Sequence, residues 1–122
     1  MQNFNEKLKI DITQRCFKFS LEILSFCDSL PNKRSAWVIE DQLIRSATSI
    51  GANLVEGKAS SSRLEFKKYY EIALKSSNET KYWIALLREA NLGSREKLNY
   101  LLKENIEIAN ILVKGVISLK KK

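Results

Sequence analysis

Apolar residues along the chain recur at spacings of three and four in four separate blocks, and each block reads as one stripe of an amphipathic helix. In the first, Ile12, Cys16, Phe19, Ile23, Cys27 and Leu30 share a face, and Phe17, Leu24 and Phe26 widen it. Asp11 and Gln14 have the layout of a capping box at its start. Pro31 ends it, because proline lacks an N–H and pushes the residue before it out of the helical region. In the second block the stripe is Ile39, Leu43, Ala47, Ile50 and Leu54, with Trp37 and Ile44 lying off it. Ser35 is its expected cap, and Gly57 stands where a left-handed residue closes a helix. Ser62 and Glu65 form a second capping box before the third block, Phe66, Tyr70, Ala73, Ser77, Thr80, Ile84 and Leu87, which Tyr69, Leu74, Trp83 and Leu86 broaden. Gly93 is expected to stop this helix and Ser94 to cap the next.

The fourth block carries two stripes: Leu98, Leu101, Ile108, Leu112 and Leu119, and beside them Leu102, Ile106, Ala109, Val113 and Val116. Together they exceed what one core contact needs, so this helix either meets a second subunit or is wedged deeply between two neighbours. Residues 1–10 show little pattern and read as a lead-in. No alternating run bounded by turn residues suggests a strand. Four helices over about 12–30, 36–56, 63–91 and 95–119, joined by short links, predict an all-α fold. The expected architecture is an antiparallel up-down-up-down four-helix bundle that occupies residues 1–122 as a single domain.

The stretch from Arg45 to Gly57 differs from the rest of the chain. Small residues, Ser46, Ala47, Ser49, Gly51 and Ala52, are set among a few large apolar ones. Ser49, Asn53 and Glu56 follow one another at four and three, so they share a helical face. Gly51 costs about 1 kcal/mol against Ala inside a helix, which predicts another backbone close by. Asn53 and Glu56 are expected to satisfy polar groups where the second helix meets the third. Arg45 is expected to pair with Asp41 or Glu40, or to lie at a subunit boundary. The sharper alternative for the three polar residues is a ligand or nucleotide site.

Composition removes most enzymatic chemistry. The chain has no histidine, hence no His-based nucleophile pair, no imidazole base and no Glu-x-x-His iron site. Cys16 and Cys27 are too far apart along one helix to bridge, and they read as buried thiols and not as a zinc site. The four glycines are scattered and form no phosphate loop. Neither an enzyme nor a cofactor or metal centre is expected. No apolar run is long enough to span a bilayer. The first residues lack the layout of a secretion signal, so a cytoplasmic location is expected.

Charge adds a positive expectation. There are 21 Lys and Arg against 14 Asp and Glu, a net of +7. Residues 94–122 hold seven basic and three acidic side chains, and the links 31–35 and 58–63 hold Lys33, Arg34, Lys58 and Arg63 with no acid. Lys67, Lys68 and Lys75 stand on the third helix beside Tyr69 and Tyr82. The pattern suits a polyanionic partner. The competing reading is a solubilising charge with a basic tail of Lys120, Lys121 and Lys122.

The residues RSATSIGANLVEG at 45–57, followed after a polar link by EFKKYYEIALKSSNE at 65–79, resemble the bacterial four-helix bundle proteins encoded by intervening sequences within 23S ribosomal RNA genes. The shared pattern is R-x-A-x-S-I-x-x-N-x-x-E-G and then E-F-x-x-(Y/F)-x-x-I-A-x-x-S-x-x-E. Asn78 and Val55 depart from residues common in the family. The resemblance marks Arg45, Ser49, Gly51, Asn53, Glu56 and Gly57 as structural motif residues. It implies a bundle that assembles with itself, as a homopentamer. It also implies kinship with the accessory protein of diversity-generating retroelements, which associates with a reverse transcriptase and binds nucleic acid through a basic surface.

The functional expectation is therefore a non-enzymatic homo-oligomer that binds RNA or DNA as an accessory factor. Its binding residues would be Lys58, Arg63, Lys67, Lys68, Lys75, Lys120, Lys121 and Lys122. The alternatives are a scaffold for protein contacts, or a passenger of the ribosomal-gene insertion with no role in nucleic-acid binding.

Overall fold

The computed structural model describes the backbone of residues 4–120 and the side chains of residues 12–120. Four helices follow in order: α1 (Phe4–Asp28), α2 (Arg34–Lys58), α3 (Arg63–Glu89) and α4 (Arg95–Lys120). There is no strand among the described residues. Each helix packs on two others, α1 on α2 and α4, and α3 on α2 and α4. Cross-helix partners fix the direction. Arg45 meets Glu79, Ser46 meets Thr80, Ser49 meets Ser76 and Gly57 meets Tyr69, so numbers rise along α2 as they fall along α3. The same holds for Tyr70 with Gly115 and Arg88 with Asn99 across α3 and α4. Arg15 with Glu104 and Glu22 with Tyr100 show it across α1 and α4. The bundle is antiparallel throughout.

The apolar stripes become the core. Ile12, Cys16, Phe19, Ile23, Phe26 and Cys27 of α1 are buried against Leu43, Ala47, Ile50 and Leu54 of α2, with Ile84 and Leu87 of α3 and Leu98, Leu101, Ile108 and Leu112 of α4. Cys16 and Cys27 are free, and burial pushes both thiols up to about 12. Phe17 and Leu24, expected to widen the first stripe, are exposed.

Several helix ends differ from expectation. α1 opens at Phe4, not after a cap at Asp11. In sequence Phe4, Leu8 and Ile12 continue the stripe upstream at a spacing of four, and no glycine or proline interrupts it. α1 ends at Asp28, short of residue 30, and Ser29 and Leu30 close it with tight turns onto Phe26 and Cys27. α2 begins at Arg34 after Lys33, which makes no side-chain cap, so Ser35 lies inside the first turn. Gly57 does not close α2. The helix continues to Lys58, and Gly57 lies buried against α3, where an added Cβ would come 3.2 Å from that of Tyr69. Ser62 caps α3 by accepting from the Glu65 N–H at 3.1 Å, and Ser94 accepts from the Lys97 N–H at 3.3 Å.

α3 is stopped by Asn91 ahead of Gly93. Asn91 takes a left-handed φ of 57°, its N–H donates to the Arg88 carbonyl, and the Leu92 N–H donates to the Leu87 carbonyl. These two bonds form a Schellman motif, with apolar Leu92 and Leu87 both buried beside it. Gly93 has a φ of +95°, and a Cβ there would lie 2.7 Å from Phe26 Cζ. The α3–α4 turn is thereby pressed onto the far end of α1.

Candidate nucleic-acid interface

The motif residues of α2 build a packing seam. Gly51 faces α1, where an added Cβ would come within 3.2 Å of Cys16 Cβ. The close approach expected of this glycine is therefore made with α1. On the side facing α3, Ser49 Oγ lies 2.9 Å from Ser76 Oγ, and the Asn53 amide donates to the Ser49 carbonyl and hydroxyl at 2.8 and 2.9 Å. Buried Ser46 accepts from Thr80 at 2.9 Å. These short hydroxyls let α2 and α3 approach while no buried side-chain polar atom of the seam lacks a partner. Glu56 is exposed and takes no part in the seam. Arg45 pairs with Glu79 of α3 and with Gln42, and not with Asp41 or Glu40. Glu79 also accepts from the Trp83 indole at 2.9 Å, and this bond, with that from Arg45, holds its carboxyl below the ordinary range.

The seam continues into α4 through a residue that periodicity does not single out. Asn105 is 1 % exposed; its amide donates to the Ser77 carbonyl at 2.9 Å and its oxygen accepts from Ser77 Oγ at 2.9 Å. The signal in the sequence is the gap in the first stripe of α4 between Leu101 and Ile108, which Asn105 fills in register.

Because the helices alternate in direction, the end of α2, the start of α3 and the end of α4 come to one end of the bundle. Lys58, Arg63 and Lys120 stand at that end. Arg63 donates from Nη2 to the Ser118 carbonyl at 3.3 Å, which ties α3 to α4. A cleft of about 420 Å³ lies beside them, lined by Lys58, Phe66, Tyr70, Gly115, Ser118 and Leu119. The Tyr70 ring packs on the α4 backbone at Gly115, where a Cβ would lie 2.6 Å from Tyr70 Cε1. Phe66 stacks on Tyr70 with centroids 5.1 Å apart and planes 25° apart. Burial raises the Tyr70 hydroxyl above its ordinary range.

The other basic residues are dispersed. Lys67 and Lys68 line a different surface of α3 with Ser62, Leu64, Glu65 and Glu71. Glu71 stands between them and Lys75 at helical spacing, so this face is charge-compensated. Tyr69 is half-buried toward Gly57, and Tyr82 packs edge-on against Trp83. Lys33 and Arg34 lie at the opposite end of the bundle. Lys121 and Lys122 lie outside the described residues. Ion pairs among the described residues engage Arg15, Arg45, Arg88 and Arg95, and no lysine. No cluster of potential metal ligands occurs among the described residues. No described helix is long and apolar enough to cross a membrane.

Comparison with known proteins agrees with this architecture. A family model described as 23S rRNA-intervening sequence protein matches residues 8–114. The fold is similar to a crystal structure of a protein with unknown function from the S23 ribosomal protein family of Bacteroides thetaiotaomicron. The two are 32 % identical, the match covers 86 % of this chain and 97 % of that one, and the TM-score is 0.81. No curated protein matches. The helical seam carrying the motif of α2 and α3, the family match over most of the chain and the agreement of the fold lead to one conclusion: the chain belongs to the 23S rRNA-intervening sequence protein family.

Proposed function

We propose that this protein is a non-enzymatic, cytoplasmic, homo-oligomeric bundle that binds nucleic acid through the basic end of the molecule. The observation that carries the reading is a pair of adjoining clefts with no carboxylate in their linings, one bearing Lys58 and the other Arg63, at the end of the bundle where α4 closes at Lys120. Lysine and arginine side chains neutralise phosphates and release counterions, an attraction independent of base sequence. Self-association would repeat this end by symmetry and multiply weak contacts, and the exposed part of the second stripe of α4, Ile106 and Val113, supplies an apolar surface for it. The same stripe favours a second reading, a scaffold for another protein.

The test is fluorescence anisotropy with labelled RNA and DNA across a salt series. Affinity is expected to fall steeply as salt rises. Lys58→Glu with Lys120→Glu should weaken binding at least tenfold, and Lys67→Glu with Lys68→Glu should weaken it less, since Glu65 and Glu71 already neutralise that face. Absence of binding at low salt would remove this reading and leave the scaffold.

A further inference from the structure

We infer that the basic end receives an unstacked nucleobase, so that the protein takes single-stranded nucleic acid in preference to duplex. This inference rests on the proposed function and narrows it to a strand class.

Two clefts meet at Phe66. One, described above, runs between α3 and α4 over Tyr70 and Gly115. The other, about 370 Å³, is lined by Ser60, Ser61, Ser62, Arg63, Phe66 and Leu119. Phe66 and Leu119 are common to both, so the half-buried Phe66 ring is open to solvent-filled space on the side of the α2–α3 link while its other neighbour is Tyr70. The floor shared by the two, Phe66 and Leu119, is apolar, and Ser60, Ser61 and Ser62 line the wall toward the α2–α3 link. The rim carries Lys58 on one side and Arg63 on the other. Arg63 spends one nitrogen on the Ser118 carbonyl, which orients the guanidinium and leaves further donors for a phosphate.

Charge separates these two clefts from three others on the molecule. The cleft between α1 and α4 contains Glu22, that on the outer face of α3 contains Glu65 and Glu71, and that along α4 contains Glu107. Neither cleft at Phe66 contains an acid. An apolar floor beneath a cationic rim suits a flat base joined to a phosphate. Bases stack on aromatic rings only when freed from pairing and from their own stack, whereas a duplex offers phosphates alone to such a concave site. A duplex can reach Lys58, Arg63 and Lys120, but it cannot place a base on Phe66.

The experiment compares a labelled single-stranded oligoribonucleotide with a duplex of the same length, using the full chain, in anisotropy titrations at one low salt concentration. Wild type should bind the single strand about tenfold more tightly or better. Phe66→Ala should remove most of that preference and leave duplex affinity unchanged. Phe66→Trp should retain it, and circular dichroism should show both variants folded. A 2-aminopurine placed in the single strand should change fluorescence on binding to wild type and not to Phe66→Ala. Adenosine monophosphate serves as competitor to separate a strand from a free nucleotide. Competition by it as effective as that of the oligonucleotide would overturn the strand reading in favour of a mononucleotide site. Equal affinity of wild type for single strand and duplex, or equal losses for both in Phe66→Ala, would overturn the inference and leave phosphate binding intact. Failure to bind either form would overturn the proposed function as well.

Discussion

At the residue scale, small side chains decide how closely the helices approach. Gly51 is the clearest case. Its helical cost is visible in sequence, and the structure supplies the reason, since Cys16 Cβ stands 3.2 Å from where a Cβ would be. Gly51→Leu must displace α1 or adopt a strained rotamer, and it is expected to cost about 1–3 kcal/mol. Urea unfolding would measure this, and an unchanged midpoint would refute the contact. Other single residues were less legible. Gly57 and Gly93 each stand near a helix end, where sequence suggests a terminator. One proves to be a contact glycine inside α2, and the other follows a left-handed Asn91 that has already closed α3. A glycine needed for space and a glycine needed for a positive φ look the same in sequence. Asn105 was hidden for the opposite reason, because polarity disguised its place in an apolar stripe.

At the element scale, the four helices and their inward faces follow from periodicity, and the capping serines at 62 and 94 hold as read. Cross-helix polar partners did not follow, because pairing depends on the register of two helices and not on either alone. Arg45 with Glu79 is one example, and Arg15 with Glu104 and Glu107 is another. Arg15 donates from Nε and Nη2 to both oxygens of Glu104 at 2.7 and 2.8 Å, which clasps α1 to α4. The hydrogen bond from Arg15 holds the Glu104 carboxyl below its ordinary 4.5, against a smaller opposing effect of burial. A carboxylate whose pKa is lower in the folded than in the unfolded chain stabilises the fold above the unfolded value. That stabilisation is lost as pH falls through the folded value. The thermal midpoint should therefore drop as pH is taken below 4.5. Glu104→Gln should lower the midpoint at neutral pH by a few degrees and make the acid-side decline shallower. Calorimetry over a pH series checks both, and an unaltered decline in the variant would assign the acid sensitivity elsewhere.

At the scale of the whole molecule, the antiparallel order sets Lys58, Arg63 and Lys120 at one end, Lys33 and Arg34 at the other, and Lys67 and Lys68 on a face shared with Glu65 and Glu71. Counting charges by segment already marked the 58–63 link as free of acid, but it could not show that Phe66, Tyr70 and the Gly115–Leu119 stretch of α4 build clefts beside Lys58 and Arg63. The surface also bears apolar area beyond the needs of one bundle. Ile106 and Val113 of α4 are each 40 % exposed and Ile117 is 51 % exposed, while Val116, placed by sequence on the same outer stripe, is buried. Ile106→Lys with Val113→Lys should convert an oligomer to monomers with helicity retained. Light scattering measures the mass, and a variant of unchanged oligomeric mass would exclude this face as the subunit contact.

The hydroxyl and amide pairs between α2, α3 and α4 have a mechanical consequence. Ser46 pairs with Thr80 and Ser49 with Ser76, and the Ser77–Asn105 pair is flanked one turn away on α4 by Leu101 and Ile108. Sliding α3 by a single turn, about 5.4 Å, would set buried Ser77 against Leu101 or Ile108 in place of Asn105, at about 1–3 kcal/mol for each orphaned group. α3 and α4 are keyed like a lock whose pin seats at one depth. Lengthwise ratcheting of α3 past α4 therefore costs more than a small rotation or bend that keeps Ser77 on Asn105.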